Sequence, residues 1–548
     1  MRILFSSVPA YGHLLALLPL ARAAVRAGHE VALLTHPSMG AAAPSLTLLA
    51  AGPSQAETLD GTAAEVLDPI EFFVERRIRP GAADAVTAAR RFGPDLVVAD
   101  HVDYLGQYAA AVLGVPWAAH GSTLPLVEPL AAVFAERAGA SFRELGVEPA
   151  RPVAYLDPWP DSLLRSTDSY PADRIPVRPE PHTGDGPAWL PPRFDADRPL
   201  VLVSLGTVVD DPALLRTVVA QIAAYDVNVL VAPQAAGDLD SDRVRTAGFV
   251  PMRDLLAVSD LVVSAGGAGT VLSTLGAGLP SVLLPLGLDK PVNAERAAAT
   301  GAAYVVSGPD QIGPAVDKLL RDDAARAAAQ TVAAGIAAMP SPADALESLL
   351  RRAFVPAAAA VLESVADLVA GTTDDQAALA TPCDGMDVGA LQRHLLGWLA
   401  MFGAAFADPT GPQRPDPAAY PAGQTPREAA AEVRRIARTV ATALTDAQED
   451  QDISLPALGG TYPLQAAVGL LLAEALGHGW DLAVATGRQW RPDPMAAEQA
   501  LAVARTVVQP AYRGEGMPFG AEVAIDSAAP ALDRLVAFLG RDPGSGRR

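Results

Sequence analysis

The sequence predicts an α/β protein of two doubly wound lobes, followed by an all-α domain. Short β-rich runs alternate with Ala- and Leu-rich helical runs up to about residue 355. A proline-rich stretch at about 155–199 interrupts this alternation and indicates a connection between two lobes. Beyond about residue 354 the strand pattern stops and only helical patterns remain. We therefore expect Rossmann-like lobes at 1–190 and 191–354 and a four-helix bundle at 355–548.

Seven apolar runs are the strand candidates of the two lobes. They are RILFSS, EVALLT and DLVVAD in the first lobe and LVLVSLG, NVLVAP, LVVSA and SVLLPL in the second. Nearly continuous apolar runs are typical of parallel strands buried on both faces. In such sheets, ligands bind beyond the carboxyl ends of the strands, so residues that follow these runs are the first candidates for function.

Composition and charge exclude several classes of function. The 548 residues carry a formal net charge of -21 that is spread along the chain, which argues against a nucleic-acid partner. The single cysteine, Cys383, excludes a disulfide framework and a cysteine-based zinc site, and it favours a cytoplasmic location. The apolar N-terminus is interrupted by PAYGH, and no uninterrupted apolar run reaches about 18 residues, so we expect neither a signal sequence nor a membrane span.

Two side chains at strand ends of the first lobe are candidate catalytic groups. His13 follows the first strand at the start of a helix, where the helix dipole favours a neutral imidazole that can accept a proton. Asp100 ends DLVVAD and can accept the other imidazole N–H. The residues alone leave the structural interpretations open, in which His13 caps a turn and Asp100 caps the helix DYLGQYAAAVLG.

The second lobe contains a glycine-rich turn in LVVSAGGAGTVLSTLGAGLP, from Leu261 to Pro280. A strand, a glycine turn and a helix N-terminus can hold a phosphate through backbone N–H groups, yet no Lys, Arg or His lies between Ser264 and Thr270. With YGH, VSLGT, GFVP and DKPVNAERAA in the same order, this turn resembles the UDP-glycosyltransferase-like family. Members are two-lobed GT-B enzymes, and the bacterial branch that decorates macrolides and other natural products is the most similar.

This resemblance implies a metal-independent, inverting transfer of a sugar from a UDP- or dTDP-sugar to a small-molecule acceptor. It implies that His13 deprotonates the acceptor and that Asp100 orients His13. It also implies contacts to the nucleotide sugar. The backbone of Val250 would contact the nucleotide base, and Asp289 and Lys290 would contact the sugar hydroxyls. The diphosphate would be contacted by Thr207, Gly266, Gly267, Gly269 and Thr270.

Two residues depart from the pattern of the family. Ala265 stands where the family usually has a histidine that donates to the diphosphate, and Lys290 stands where it usually has a glutamine. A charge-assisted hydrogen bond contributes roughly 1.5–3 kcal/mol. We therefore expect donor binding or leaving-group stabilisation to be weakened by about 10- to 150-fold. Lys290 leaves two interpretations open, a positive charge for the donor or selection of an unusual sugar, and Ala265 leaves open a degenerate lobe that only binds a ligand.

The C-terminal region contains three candidate metal ligands. Glu474 and His478 are four residues apart and share one face of a helix, and His394 lies on another apolar helix. The surrounding TPCDGMDVGALQRHLLGW and HGWDLAVATGR resemble DinB-like bundles related to the N-terminal domain of mycothiol-dependent maleylpyruvate isomerase. The resemblance implies a divalent metal, often zinc, held by His394, Glu474 and His478, with a position left for water or a thiolate. Two interpretations stay open: a second catalytic step that uses a low-molecular-weight thiol, or a docking module that presents the acceptor.

Overall fold

The computed structural model describes residues 1–62, 68–183, 189–194, 197–206, 211–232, 239–383, 385–411, 413–446, 451–514, 517–526 and 529–544, with the backbone alone at 354–356 and 445–446. The chain forms two compact units, Arg2–Leu349 and Leu350–Arg548. The division between them falls within one long helix, Pro342–Ala370. The first unit contains two parallel sheets, and the second is mainly helical.

The first sheet has seven parallel strands in the order β3-β2-β1-β4-β5-β6-β7. The strands are β1 (Arg2–Ser6), β2 (Glu30–Thr35), β3 (Thr47–Ala50), β4 (Leu96–Asp100), β5 (Trp117–His120), β6 (Tyr155–Asp157) and β7 (Arg174–Pro176). The helices are α1 (Tyr11–Arg26), α2 (Gln55–Leu59), α3 (Arg76–Phe92), α4 (Tyr104–Leu113) and α5 (Leu130–Glu144). The strand order reverses between β1 and β4, and the loops after these two strands therefore diverge and leave a crevice at the carboxyl edge.

The second sheet has six parallel strands in the order β10-β9-β8-β11-β12-β13. The strands are β8 (Leu200–Ser204), β9 (Asn228–Val231), β10 (Val244–Thr246), β11 (Leu261–Ser264), β12 (Ser281–Leu283) and β13 (Ala303–Val305). The helices are α6 (Pro212–Ala223), α7 (Met252–Leu256), α8 (Ala268–Gly276), α9 (Lys290–Ala299), α10 (Ile312–Leu320), α11 (Asp323–Ala337) and α12 (Pro342–Ala370). Its order reverses between β8 and β11, so the glycine-rich turn after β11 lies at the second reversal point.

The prediction of two doubly wound lobes is confirmed. The predicted connection between them, at about 155–199, begins too early in the sequence. Residues from Tyr155 onward contribute β6 and β7 to the first sheet. Prolines are tolerated there because the strands are short and lie towards one edge of the sheet. Asp157, which is buried, accepts hydrogen bonds from Arg174 at 2.7 Å and from Tyr170 at 2.9 Å and so fixes this region by polar contacts that hydropathy does not reveal.

The second unit is mainly helical, as predicted, but it also contains two short strands. Beyond the end of α12 its helices are α13 (Val388–Ala407), α14 (Pro426–Asp446), α15 (Leu464–Ala485), α16 (Pro494–Val507) and α17 (Ala531–Phe538). A short antiparallel hairpin of β14 (Asp452–Leu455) and β15 (Gly460–Pro463) precedes α15. The prediction of no strands was wrong because these segments are only four residues long, and Gly459 turns the chain between them at a φ of 81°.

Two helices, α12 and α15, have the length and apolar composition that a membrane span would need. Of their apolar stretches, 60% and 78% are buried within the structure. Core helices of soluble proteins have the same properties, so this finding is weak support for a membrane span.

Candidate active site and candidate metal centre

The carboxyl ends of both sheets line one cleft in the first unit. The first lobe contributes His13, Phe72, Phe73 and Ser122, and the second contributes Val250, Ala265, Gly267, Gly269, Thr270, Asp289 and Lys290. Most of the predicted residues of the two lobes are therefore brought together at the two points where strand order reverses. Thr207 lies outside the described residues.

His13 lies in the first turn of α1 and contacts two side chains through the same ring nitrogen. Its Nδ1 is 2.8 Å from Oδ2 of Asp100 and 2.8 Å from Oγ of Ser122. Asp100 is fully buried at the end of β4, and its Oδ1 accepts a hydrogen bond from the backbone N–H of Val102 at 2.9 Å. With Nδ1 engaged, the other ring nitrogen, Nε2, is the one left to act on a ligand.

The alternative that Asp100 caps a helix is wrong. The N-cap of α4 is Asp103, whose side chain accepts from the backbone N–H of Gly106. Asp103 is itself buried against Arg77 and accepts a hydrogen bond from Ser6. The carboxylate of Asp100 is therefore available to His13.

The electrostatic balance at His13 differs from the sequence-based expectation. Burial lowers the pKa of His13, but the charge of Asp100 and its hydrogen bond outweigh burial and raise the pKa above the usual 6.5. Asp289 acts in the same direction from the other lobe. The pKa of Asp100 is lowered despite its burial, mainly by His13. The helix dipole alone therefore does not decide the charge of His13, because the carboxylate makes it a stronger base.

The glycine-rich turn follows β11 and leads into α8. Gly266 has a φ of 83°, and a Cβ built on it would lie 3.0 Å from the carbonyl oxygen of Lys290. By contrast, a Cβ on Gly267 or Gly269 would meet no described atom within 4 Å. The turn is thus tight on the protein side and open elsewhere, which lets a ligand approach the backbone N–H groups at the start of α8.

Asn293 ties this turn to the loop that carries Asp289. Its amide nitrogen donates to the carbonyl oxygen of Gly266 at 3.1 Å and to Oδ2 of Asp289 at 2.7 Å. Asn293 is fully buried on α9. The ammonium of Lys290, at the start of the same helix, donates to the carbonyl oxygen of Leu286 at 3.1 Å, and the residue as a whole is 7% exposed.

In the second unit, His394 on α13 meets Glu474 and His478 on α15. Oε1 of Glu474 is 3.5 Å from Nε2 of His394 and 3.5 Å from Nε2 of His478. One ligand atom from each of the three residues lies within 4.8 Å of the others. The two imidazole centroids are 4.9 Å apart, with the rings nearly perpendicular at 82°.

These three residues fit a divalent ion of the zinc type. Oε1 of Glu474 is buried and finds no hydrogen-bond partner within the part of the chain that the structure describes. Ligand atoms bonded at about 2.0–2.2 Å to a tetrahedral ion lie roughly 3.3–3.6 Å apart, close to the contacts seen here. Burial lowers the pKa of His394 and outweighs the charge of Glu474, which raises it, so the neutral imidazole that binds metal is favoured.

Sequence reasoning missed four residues that support these sites: Ser122, Asn293, Asp481 and Arg541. Ser122 follows β5, a third strand end on the same edge, which is the signal that could have found it. Asp481 is three residues after His478 on α15, and its Oδ2 lies 3.1 Å from Nδ1 of His478. Arg541, which contacts Asp481, is 60 residues away in sequence and leaves no local signal.

Comparisons with known proteins bear on both units. Residues 216–351 match the erythromycin biosynthesis protein CIII-like C-terminal domain. The chain is 32% identical over 393 residues to L-demethylnoviosyl transferase of Streptomyces niveus, which covers 65% of this chain and 100% of that protein. The chain belongs to the glycosyltransferase family of L-demethylnoviosyl transferase.

A solved structure from the same family supports the assignment of the first unit. The glycosyltransferase SsfS6 of Streptomyces sp. SF2575, complexed with thymidine diphosphate, is 26% identical with a TM-score of 0.54. The alignment covers 64% of this chain and 99% of that one. The two-lobed GT-B fold predicted from the motifs is thereby confirmed.

The second unit has its own relatives. Residues 358–483 match the mycothiol maleylpyruvate isomerase N-terminal domain. An uncharacterized protein of Mycobacterium tuberculosis is 34% identical over 179 residues, which is 33% of this chain and 92% of that protein. The chain therefore joins a natural-product glycosyltransferase to a domain of the DinB-like class, as the motifs predicted.

Proposed function

We propose that this protein is an inverting glycosyltransferase that moves a sugar from a dTDP- or UDP-sugar to a hydroxyl or other nucleophile of a small natural-product acceptor in the cytoplasm. The observation that carries the proposal is the contact of His13 with the buried Asp100, because the imidazole of His13 lines the same cleft as the glycine-rich turn at Gly267. One group accepts a proton and the other holds an anion, and a glycosyl transfer from a nucleotide diphosphate needs both.

In the proposed reaction His13 acts as the general base. Nε2 takes the proton from the acceptor as the acceptor oxygen attacks the anomeric carbon. The bond from that carbon to the diphosphate breaks, and the nucleotide diphosphate leaves with the electron pair. Asp100 stabilises the imidazolium through Nδ1, which is consistent with its lowered pKa.

For the donor, we propose that Val250 contacts the base through its backbone and that Thr207, Gly266, Gly267, Gly269 and Thr270 surround the diphosphate. Asp289 faces the sugar hydroxyls, and the amide of Asn293 fixes the orientation of its carboxylate. Lys290 lines the same part of the cleft. Binding of thymidine diphosphate by the relative SsfS6 supports a nucleotide diphosphate here.

Ala265 gives a direct test of the donor site. The residue is 1% exposed and lines the cleft beside the glycine-rich turn. An imidazole introduced by Ala265→His would supply a donor that the uncharged turn lacks, and we expect affinity for dTDP or UDP to rise by about 10- to 150-fold. Calorimetry measures this directly, and an unchanged affinity would show that another group already fills the role.

The reaction itself is tested with a panel of donors. The full-length protein is incubated with dTDP- and UDP-sugars and candidate polyketide and aromatic acceptors, and the products are identified by mass spectrometry. The proposal expects an acceptor mass increased by one sugar and stoichiometric release of the nucleotide diphosphate. A lobe that had kept only ligand binding would bind the nucleotide without turnover of any donor, including hydrolysis.

For the second unit we propose a divalent metal, zinc by preference, held by His394, Glu474 and His478. Bound there, zinc would supply Lewis acidity and would lower the pKa of a ligated water or thiol. Oε1 of Glu474 supports this proposal, because it is buried and accepts no hydrogen bond from any residue that the structure describes. The match to a mycothiol maleylpyruvate isomerase domain further suggests that a low-molecular-weight thiol is the partner in a second step.

The alternative for the second unit is docking or acceptor presentation without metal chemistry. Elemental analysis of the full-length protein separates the two. The metal proposal expects about one equivalent of a transition metal per chain, lost in a His394→Ala variant. A content well below one equivalent, with sugar transfer unaffected by that substitution, would favour docking.

A further inference from the structure

The imidazole of His478 lies between two carboxylates. Its Nε2 lies 3.5 Å from Oε1 of Glu474, on the side of the proposed metal, and its Nδ1 lies 3.1 Å from Oδ2 of Asp481. All three residues belong to α15, with Asp481 one turn beyond His478. The two nitrogens therefore face two different carboxylates.

Asp481 is fully buried and is anchored by an arginine from the C-terminal segment. Arg541 follows α17 and donates from Nη2 to Oδ2 at 2.8 Å and from Nε to Oδ1 at 3.2 Å. Its Nη1 also donates to the carbonyl oxygen of Leu539 at 3.2 Å, which fixes the guanidinium. Such a two-pronged pair sets the plane of the carboxylate as well as its position.

An ionised carboxylate only accepts hydrogen bonds. Arg541 can only donate hydrogen bonds, and it donates to both oxygens of Asp481, so Asp481 meets His478 as an acceptor. The proton between His478 and Asp481 then belongs to Nδ1, and the lone pair of the imidazole is on Nε2. Histidines that bind metals commonly have their other nitrogen fixed in this way.

We propose that Asp481 and Arg541 are positioning residues that hold His478 in the Nδ1–H form and aim Nε2 at the proposed metal. This inference rests on the proposed metal site. It adds that the metal affinity of the domain depends on Arg541, a residue beyond the matched domain at 358–483.

A second group of potential ligands includes His478 and Asp481. Ligand atoms of Cys383, His478 and Asp481 also lie within 4.8 Å of one another. In that arrangement Asp481 would be a ligand itself. Both of its oxygens already accept from Arg541, so a cation bound to either would lie beside a guanidinium. The geometry therefore favours Asp481 as a support of His478.

The test measures Zn²⁺ affinity of full-length variants by competition with a chromogenic chelator. We expect Asp481→Asn to weaken Zn²⁺ binding by about 10- to 100-fold and Arg541→Lys to weaken it less. The double variant Asp481→Asn with Arg541→Met avoids an uncompensated buried charge and should show the same loss while remaining folded by circular dichroism. Arg534→Gln, which breaks a pair with Glu498 in the same unit, is the matched control and should bind normally.

Cys383→Ala separates the two arrangements and should leave the affinity unchanged. A loss as large as that of Asp481→Asn would assign the ion to Cys383, His478 and Asp481 and overturn the proposal, as would an Asp481→Asn protein with wild-type affinity.

The tautomer of His478 is read independently by ¹⁵N NMR of the metal-free protein. We expect a protonated Nδ1 in the wild type and a mixture of tautomers in Asp481→Asn. If the wild type does not bind Zn²⁺, the metal site fails while this spectrum still reports on the pair. A wild-type His478 protonated on Nε2 would refute the positioning role.

Discussion

The two units use the same contact, a histidine Nδ1 on a buried aspartate, in different electrostatic settings. In the first, Asp100 lies 2.8 Å from His13, and its carboxylate raises the pKa of the imidazole. In the second, Asp481 lies 3.1 Å from His478 and is also bound by both prongs of Arg541. In the second unit, the guanidinium of Arg541 offsets part of the charge of Asp481. In the first unit, the charge of Asp100 acts mainly on His13.

The difference separates two uses of an imidazole. A general base must attract a proton, so a carboxylate whose charge acts mainly on the imidazole is an advantage. A metal ligand must be neutral and fixed in one tautomer, so a carboxylate that is itself bound by a guanidinium serves to orient the imidazole. His–Asp contacts alone therefore do not indicate function, and the third partner of the aspartate distinguishes the cases.

The largest expected effect comes from removal of the proposed base. His13→Ala should lower kcat for sugar transfer by ~10²–10⁴-fold, the usual contribution of a general base, with little change in the KM of the donor. The matched control is His29→Ala, which removes an imidazole beyond the other end of α1. If His13→Ala kept more than a tenth of wild-type kcat, the base would be another group.

Asp100→Asn tests the effect of the carboxylate charge on His13. Loss of a charge-assisted hydrogen bond should lower kcat/KM by about 10- to 150-fold. Without the charge of Asp100, burial dominates, so the pKa of His13 should fall. Since the base acts when unprotonated, the acidic limb of the kcat/KM profile should move to lower pH, although its plateau is lower. An unmoved limb would mean that Asp100 does not set this pKa.

Removal of the metal tests the proposed metal site of the second unit. At a free Zn²⁺ concentration one hundred times its Kd, the ion should stabilise the helical unit by about 2.7 kcal/mol. Calorimetry of the full-length protein should therefore show one unfolding transition that falls when a chelator is added. His478→Ala should abolish this response, and a response that persists would place the ion elsewhere.

The smallest effect is expected at Ser122. Its hydroxyl is a neutral partner of His13, and such a hydrogen bond contributes roughly 0.5–1.5 kcal/mol. Ser122→Ala should therefore lower kcat by about 2- to 12-fold, and Ser122→Thr, which keeps the hydroxyl, should restore much of it. A loss as large as that of Asp100→Asn would make Ser122 an equal partner of His13 and would contradict the leading role of the Asp100 charge.

The sequence was most informative where one local pattern determines structure. Strands rich in Val, Ile and Leu, such as β4 and β11, were predicted because apolar runs mark buried parallel strands. By contrast, β5 was missed because its WAAH lacks β-branched residues, and the hairpin of β14 and β15 because it is short.

Among the site residues too, those marked by a local sequence pattern were predicted, and those brought in by long-range packing were missed. His13, Asp100 and the glycine-rich turn follow predicted strands, and the spacing of Glu474 and His478 is a helical pattern. Arg541 meets Asp481 only through packing of segments 60 residues apart, and Asn293 reaches Gly266 from α9. The boundaries 1–190, 191–354 and 355–548, and the roles assigned to individual site residues, remain predictions.

The central claim, that Asp100 makes His13 a stronger base, is tested most directly by a pH titration of the histidines by ¹⁵N NMR in the metal-free, full-length protein, with assignment by single substitutions. The account predicts that His13 titrates above pH 6.5, because Asp100 outweighs burial, and that His394 titrates below it, because burial dominates. Asp100→Asn should move His13 below 6.5 and leave His394 unchanged. A wild-type His13 that titrates at or below 6.5 would contradict the account.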